Sequence, residues 1–135
     1  MALIEWDDSY IVGIGQIDAE HRNIAQLLNS IAEAMKAEPT REETGKLLDE
    51  LIECTDSHFK SEEKLFLDHH YPRYEEHKKE HDNLRYAASR LQAKIRQGIM
   101  ELNSDTLTFL VDWFLNHIPT ADKSSASFLR GRGVS

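Results

Sequence analysis

Four segments of the chain repeat apolar residues at intervals of three and four, which is the pattern of a helix with one buried face. The repeats begin near Asp18, Thr40, Tyr74 and Ser104. Asp18 is the expected N-cap of the first helix, and Thr40 with Glu43 has the form of a capping box. No run alternates like a half-buried strand. The sequence therefore predicts an all-α fold, an antiparallel up-down-up-down four-helix bundle.

The chain has 135 residues, which is enough for one domain with its own hydrophobic core. We expect a single domain over residues 1–135. Within it, residues 1–17 are predicted to form an irregular N-terminal arm packed on the bundle, and residues 18–118 to form the bundle itself. Residues 119–135 are expected to be a C-terminal extension whose last segment, GRGVS, frays.

The charge balance of the chain restricts its partners. A net charge of −8 argues against nucleic acid and anionic membranes, because either needs a basic surface. No stretch reaches the roughly 20 apolar residues of a membrane span. The N-terminal sequence has no signal-peptide pattern, and the single cysteine, Cys54, fits a reducing compartment. We therefore expect a cytoplasmic protein without membrane insertion.

Ionisable residues occupy positions in the apolar stripes where a helix otherwise places leucine or isoleucine. They are His21, His58, Glu62, His77, His81 and His117. Any one of these histidines alone would be most simply explained as a core residue with an ordinary hydrogen bond. Together with a buried carboxylate they need a shared counter-charge, because an uncompensated charge in a core is costly. The stripes therefore predict a metal centre inside the bundle.

The spacing of these residues matches two chelating pairs. His58 and Glu62 are four residues apart, and so are His77 and His81, so each pair projects from one face of a helix. Glu63 is turned about 100 degrees from Glu62 on a regular helix. We therefore expect Glu63, like the other glutamates of this region, to lie in solvent.

Asp122 follows His117 by five residues, which places the two about 140 degrees apart on a regular helix. Pro119 lies between them and lacks a backbone N–H, so it permits a kink or a wider turn that brings Asp122 inward. The spacing by itself leaves Asp122 as either a surface residue or a ligand.

Five imidazoles and two carboxylates exceed the roughly four protein ligands of a tetrahedral zinc ion. Two octahedral ions offer about twelve positions, of which these side chains and a bridging oxide or hydroxide fill about eleven. One position remains open. Imidazole and carboxylate ligands suit iron, although ligand type alone also allows copper or zinc. The small number of anionic ligands favours the ferrous state and reversible ligand binding.

The sequence resembles the hemerythrin family over nearly its whole length. The family pattern is matched by IDAEH with His21, by HFKSE at 58–62, by HKKEH at 77–81 and by HIPTAD at 117–122. The segment VGIGQID and the tryptophan upstream of it also resemble the N-terminal arm of the family. Four spaced motifs in the same order make the resemblance specific.

The resemblance implies two iron ions per chain, bridged by an oxide or hydroxide, and reversible binding of dioxygen for storage, transport or delivery. It implies seven protein ligands: His77, His81 and His117 on one iron, His21 and His58 on the other, and Glu62 and Asp122 as bridges. Dioxygen binds at the open position of the second iron, and no catalytic residue is implied. The expected partners are dioxygen and an oxygen-consuming enzyme, and the expected state is a monomer.

Apolar residues near the open position are expected to exclude water. Our candidates for this oxygen pocket are Ile24, Phe59, Trp113 and Phe114, and Phe114 stands where the family more often has a smaller leucine. Two alternatives to a carrier are a diiron sensor of oxygen or redox state and an oxidase-like or peroxidase-like diiron enzyme. The sequence offers no obvious additional proton donor for the enzyme, so a carrier that is not an enzyme ranks first.

Overall fold

Four long helices form the main body of the protein. The structure is a computed structural model that describes residues 4–135. The helices are α1 (Gly15–Met35), α2 (Arg41–Asp68), α3 (Tyr74–Arg96) and α4 (Ser104–His117), and the described residues contain no strand. These helices confirm the predicted all-α four-helix bundle. None of the described helices is long and apolar enough to cross a membrane.

Three shorter elements complete the chain. A 3-10 helix spans Asp8–Tyr10, a π-helix spans Ile118–Asp122, and a fifth α-helix, α5, spans Lys123–Gly131. The sequence did not predict α5. The segment GRGVS was expected to fray, but its first residue ends α5, and the Val134 N–H donates to the Leu129 carbonyl over 3.1 Å. The apolar side of α5 is buried against the bundle, whereas the residues after it are exposed or half-buried, so fraying of the last residues stays a prediction.

Apolar side chains fill the end of the bundle where α1 and α3 finish and α2 and α4 begin. The residues buried there include Leu28, Ile31, Leu48, Ile95 and Leu107, which are all at most 8% exposed. Burying each such side chain contributes about 1.5–3 kcal/mol. The ionisable residues lie nearer the opposite end, among buried apolar side chains such as Ile17 and Phe66.

The capping box predicted at the start of α2 is confirmed. Thr40 Oγ1 accepts a hydrogen bond from the Glu43 N–H over 3.1 Å, and Glu43 Oε1 accepts one from the Thr40 N–H over 3.0 Å. A second reciprocal pair, which the sequence analysis did not identify, starts α4. There Asn103 Oδ1 accepts from the Thr106 N–H and Thr106 Oγ1 accepts from the Asn103 N–H. Both pairs satisfy backbone N–H groups that a helix end leaves free.

The first helix begins earlier than predicted, and its N-cap is Ile14 rather than Asp18. α1 starts at Gly15, and the Asp18 carboxylate accepts hydrogen bonds from the N–H groups of Val12 over 2.8 Å and Gly13 over 3.1 Å. Gly13 has a φ of +90°, which glycine adopts readily. Asp18 therefore fixes the turn that joins the arm to the bundle.

The arm packs on the bundle through apolar residues, as expected. Ile4, Val12 and Ile14 are at most 4% exposed, and the Asn29 amide exchanges two hydrogen bonds with the backbone of Ile4. Residues 1–3 of the predicted arm lie outside the described residues.

The Asp18→Ala variant is expected to lower the free energy of unfolding by about 1.5–3 kcal/mol, because it removes hydrogen bonds from two backbone N–H groups to a charged carboxylate. Urea denaturation of the metal-free protein measures the change without a contribution from metal binding. The matched control is Asp8→Ala, whose side chain is exposed in the same arm and whose loss should cost less than about 0.5 kcal/mol. Equal losses for the two variants would contradict the role given to Asp18.

Candidate metal centre

The structure brings the seven ionisable residues singled out in the sequence into one buried cluster. None of them is more than 6% exposed. α1 supplies one residue, α2 and α3 supply two each, α4 supplies one and the π-helix supplies the last; in chain order they are His21, His58, Glu62, His77, His81, His117 and Asp122. The cluster lies where the polar inward positions of all four helices meet.

The cluster divides into two overlapping groups of potential ligands. The larger group contains Glu62, His77, His81, His117 and Asp122, and the smaller contains His21, His58, Glu62 and Asp122. Within each group, one ligand atom of every residue lies within 4.8 Å of the others. The two groups are therefore adjoining, and they share both carboxylates.

Asp122 reaches the cluster because the chain widens into a π-helix after His117. The Lys123 N–H donates to the Ile118 carbonyl five residues earlier, as in a π-helix. His117 Nε2 and Asp122 Oδ1 are then 2.8 Å apart instead of lying on different sides of a regular helix. The missing N–H of Pro119 prevents the α-helical hydrogen bond at that position. Of the two readings that the sequence left open, the structure supports the inward one.

The atoms that face the centre of the cluster fit metal ions better than hydrogen bonds. The Nε2 atoms of all five histidines and both carboxylate oxygens of Glu62 and Asp122 are buried without a hydrogen-bond partner. They are nevertheless close to one another. His21 Nε2 is 2.9 Å from Asp122 Oδ2, and His58 Nε2 is 3.0 Å from Glu62 Oε2. Ligands at right angles around a cation, with bonds of about 2.1 Å, are separated by about 3 Å.

The outward nitrogens of three histidines contact carboxylates. His58 Nδ1 lies 2.8 Å from Glu20 Oε1, His81 Nδ1 lies 2.8 Å from Glu63 Oε2, and His117 Nδ1 lies 3.1 Å from Glu80 Oε2. A proton on Nδ1 donates to the carboxylate, leaves the lone pair of Nε2 directed at the centre and makes the imidazole a stronger ligand. These three contacts therefore fix both the tautomer and the ring orientation.

The prediction that Glu63 lies in solvent was wrong. Glu63 is 8% exposed, because the face of α2 that it occupies is covered by α3, where it meets His81. Glu80 was also placed in solvent, and although its side chain is 52% exposed, it contacts His117. The periodicity of a single helix gives the angle between two side chains but not which helix covers the neighbouring face.

The three carboxylates share a sequence signal that was not used. Each is the immediate neighbour of a predicted ligand: Glu20 precedes His21, Glu63 follows Glu62 and Glu80 precedes His81. Each contacts a histidine of the next helix in the chain rather than one of its own. A residue next to a ligand is turned about 100 degrees and so faces the adjacent helix.

Burial and neighbouring carboxylates have opposite effects on the pKa values of His58 and His77 in the metal-free protein. For His58, burial lowers the pKa, but the Glu20 and Glu62 carboxylates outweigh it and raise the pKa to about 10. For His77, burial again lowers the pKa, and the Asp122 and Glu62 carboxylates raise it to about 9. Both histidines are therefore protonated on both ring nitrogens, and positively charged, at neutral pH when no metal is bound.

The pKa values of two other groups, His81 and Asp122, are lowered. Burial, together with the positive charges of His77 and His117, lowers the pKa of His81 far below its usual range. Burial also raises the pKa of Asp122, but contacts with His117, His21 and His77 outweigh it and hold that pKa well below its usual value. His81 is thus neutral and Asp122 ionised, as metal ligands need to be.

An apolar cavity of about 420 Å³ adjoins one side of the cluster. His21, His58 and Asp122 lie in its lining, together with His117, whereas His77 and His81 do not. All four residues expected to form a pocket also line it, namely Ile24, Phe59, Trp113 and Phe114. The cavity therefore gives a small apolar molecule access to the smaller group of ligands.

The fold and the cluster define a class of protein: a four-helix bundle that encloses a buried set of histidine, glutamate and aspartate side chains suited to a metal centre. Comparisons with known proteins identify the family. The family model described as the hemerythrin HHE cation binding domain matches residues 12–124. The chain therefore belongs to the hemerythrin family.

Individual relatives agree with this assignment. The chain is 39% identical over 124 residues to a bacteriohemerythrin of Methylococcus capsulatus, covering 91% of this chain and 94% of the relative. It is 32% identical over 126 residues to a bacteriohemerythrin of Stenotrophomonas maltophilia, covering 93% and 81%. A crystal structure of wild-type hemerythrin matches with a TM-score of 0.89 at 37% identity, covering 95% of this chain and 98% of that one.

Metal uptake by the metal-free protein is expected to release protons, because His58 and His77 must become neutral to bind a cation. Their pKa values of about 10 and about 9 lie above neutral pH, so the apparent metal affinity should rise as the pH increases from about 6 to about 9. Competition with a chelator measures the affinity, and an indicator dye in weak buffer measures the protons.

The matched variants for this experiment lie on α1. Glu20→Gln removes a carboxylate that raises the pKa of His58, so fewer protons should be released near neutral pH. Glu33→Gln changes an exposed glutamate of the same helix and should leave the release unchanged. An affinity that does not depend on pH would contradict this assignment of protonation.

Proposed function

We propose that this protein binds dioxygen reversibly at a pair of iron ions, for oxygen storage, transport or delivery. The observation that carries the proposal is the combination of two ligand groups that share two carboxylates with an apolar cavity that borders the smaller group. The names of the relatives, which include bacteriohemerythrins, agree with it.

In this proposal the larger group holds one iron through three histidines, the smaller group holds the other through two, and the two carboxylates bridge them. The three are His77, His81 and His117, the two are His21 and His58, and the bridges are Glu62 and Asp122. The larger group offers five protein ligands and the smaller four, so the smaller group has more room for an added ligand. The cavity borders that group.

The ligand types support iron over a single zinc ion. Seven side chains exceed the roughly four that a tetrahedral zinc ion binds. Imidazole with carboxylate suits iron, and the two carboxylates are fewer than the four of carboxylate-rich diiron bundles. Bound iron would supply the reversible donation of electrons that dioxygen binding requires.

Aromatic side chains of the cavity hold the imidazoles and exclude water. The Phe59 ring stacks on His81 with centroids 3.9 Å apart, and the Trp113 ring stacks on His117 at 4.6 Å. Phe114 meets His21 edge to face at 6.0 Å. Because apolar walls deny water and protons to the site, they support reversible binding over reduction of oxygen.

The test is to purify the protein, count its metals and record its visible spectrum while oxygen is added and removed. About two irons per chain, with charge-transfer bands that appear with oxygen and disappear without it, are expected. A single zinc ion and no colour would contradict the proposal. Bands that bleach irreversibly while oxygen or peroxide is consumed would assign an enzyme instead.

The Glu62→Ala variant is expected to lose both metals, because Glu62 belongs to both ligand groups. Glu50→Ala is the matched control, since Glu50 is an exposed glutamate of the same helix and its variant should keep both metals. Metal analysis after anaerobic loading provides the measurement. If both variants retained the same amount of metal, the assignment of Glu62 as a bridge would be incorrect.

The Phe114→Ala variant is expected to shorten the lifetime of the oxygenated protein, because it lets water reach His21 through the cavity. The decay of the oxygen-dependent bands measures this lifetime. The truncation also costs about 3–5 kcal/mol of stability, so Phe114→Leu serves as the milder variant. Phe109→Ala, on the same helix but with a 54% exposed side chain, is the control. Identical decay in all of these proteins would exclude a protective role for Phe114.

A further inference from the structure

One arginine on α3 joins the lining of the cavity to the carboxylates beside the cluster. Arg85 lines the cavity, and its side chain is 24% exposed. Its Nε donates to Asp56 Oδ1 of α2 over 2.8 Å, and its Nη1 donates to Asp82 Oδ1 of α3 over 2.8 Å. Nη1 also lies 2.9 Å from Glu63 Oε2. The guanidinium therefore has a position fixed by three carboxylates on two helices.

Arg85 reaches the edge of one predicted ligand through a shared oxygen. Glu63 Oε2, which lies 2.9 Å from Arg85 Nη1, is also the atom 2.8 Å from His81 Nδ1. The Glu63 carboxylate is 11% exposed and the His81 side chain is fully buried, so solvent screens this chain of contacts weakly. A change in the charge of Arg85 therefore changes the electrostatic potential at His81.

Arg85 reaches the face of the same imidazole through an aromatic ring. Its guanidinium carbon lies 5.2 Å from the centroid of the Phe59 ring, which is within the range of a cation–π contact. The Phe59 ring also stacks on the His81 imidazole, with an angle of 9° between the planes and centroids 3.9 Å apart. Arg85 is therefore linked to the Nδ1 edge of the His81 imidazole through Glu63 and to the face of that imidazole through Phe59.

Glu20, one of the two other carboxylates that contact a ligand histidine, has a different environment from Glu63. Glu20, which contacts His58, has the neutral amide of Gln16 at 3.3 Å as a further partner. Glu63 has an arginine instead. The carboxylate that contacts His81 is therefore neutralised by a cation, whereas the one that contacts His58 has a neutral neighbour.

We propose that Arg85 is a positioning residue that acts on His81 through Glu63 and Phe59 and sets how easily the metal bound by His81 is oxidised. This inference rests on the proposed function. A carboxylate that accepts the Nδ1 proton makes an imidazole a stronger donor and favours the higher oxidation state of its metal. Arg85 withdraws negative charge from that carboxylate, so it favours the lower state, in which the site is ready for oxygen.

The test compares Arg85→Met, which removes the charge but keeps a stem against Phe59, with the unchanged full-length, iron-loaded protein. An anaerobic redox titration measures the midpoint potential without involving oxygen binding. Arg85→Met should favour oxidation about tenfold, a fall of about 59 mV for one electron. Arg85→Lys, which keeps the charge, should restore most of the original potential. Arg90→Met is the control, because Arg90 is exposed on the same helix and contacts Tyr86.

The route through Glu63 is tested by a double variant. In a Glu63→Gln background, the further change Arg85→Met should shift the potential clearly less, since the carboxylate is gone and only the contact through Phe59 remains. Glu63→Gln alone should also weaken zinc binding by the metal-free protein about tenfold or more, because His81 loses the partner that orients it. Zinc affinity is read by chelator competition and needs no iron or oxygen.

Three results would overturn the inference. They are a potential in Arg85→Met equal to that of Arg90→Met, a shift of the same size in the Glu63→Gln background, and no recovery in Arg85→Lys. If Arg85→Met fails to fold, Arg85→Lys is compared with Arg90→Met instead: a lysine cannot hold all three carboxylates as the guanidinium does, so its potential should fall part of the way, and equal potentials would overturn the inference. A protein that holds metal but never binds oxygen reversibly would refute the proposed function and leave these measurements unaffected.

Discussion

Two buried carboxylates, Glu62 and Asp122, determine much of the rest of the structure. Removing an ionised carboxylate from water costs several kcal/mol even in a relaxed protein, so positive charge must be close to both. In the metal-free protein, protonated His58 and His77 provide positive charge, and bound cations would replace those protons. Metal binding and protonation are therefore alternatives at one site, and any cation that binds the folded state also stabilises it.

The surroundings of the cluster constrain His81 and His117 from more than one direction. Carboxylates hold the outer nitrogens of three histidines, and aromatic rings cover the faces of His81 and His117. The glutamates that do this come from the preceding helix in each case, so the bundle and the site are held by the same contacts. Orientation of the ligands thus depends on the packing of all four helices, while the apolar end of the bundle contributes the stability that offsets this polar interior.

The local features of the site could be predicted because a helix is a regular object. Spacings of four residues place His58 with Glu62 and His77 with His81 on common faces, whatever surrounds the helix. The same regularity failed for Asp122, because the chain departs from the α-helix at the π-helix that follows His117. It also failed for Glu63, whose angle from Glu62 was correct but whose environment is set by α3.

The sequence by itself determined the four long helices, the capping box of α2 and the six ionisable residues that point inward, because each of these depends on neighbours within a few residues. Only the tertiary structure decided that Asp122 turns inward, that the two ligand groups share their carboxylates and that one of them borders a cavity. It also decided that Glu63 lies between His81 and Arg85. These features depend on which helices pack together, and side-chain spacing along one helix does not specify which helix covers each of its faces.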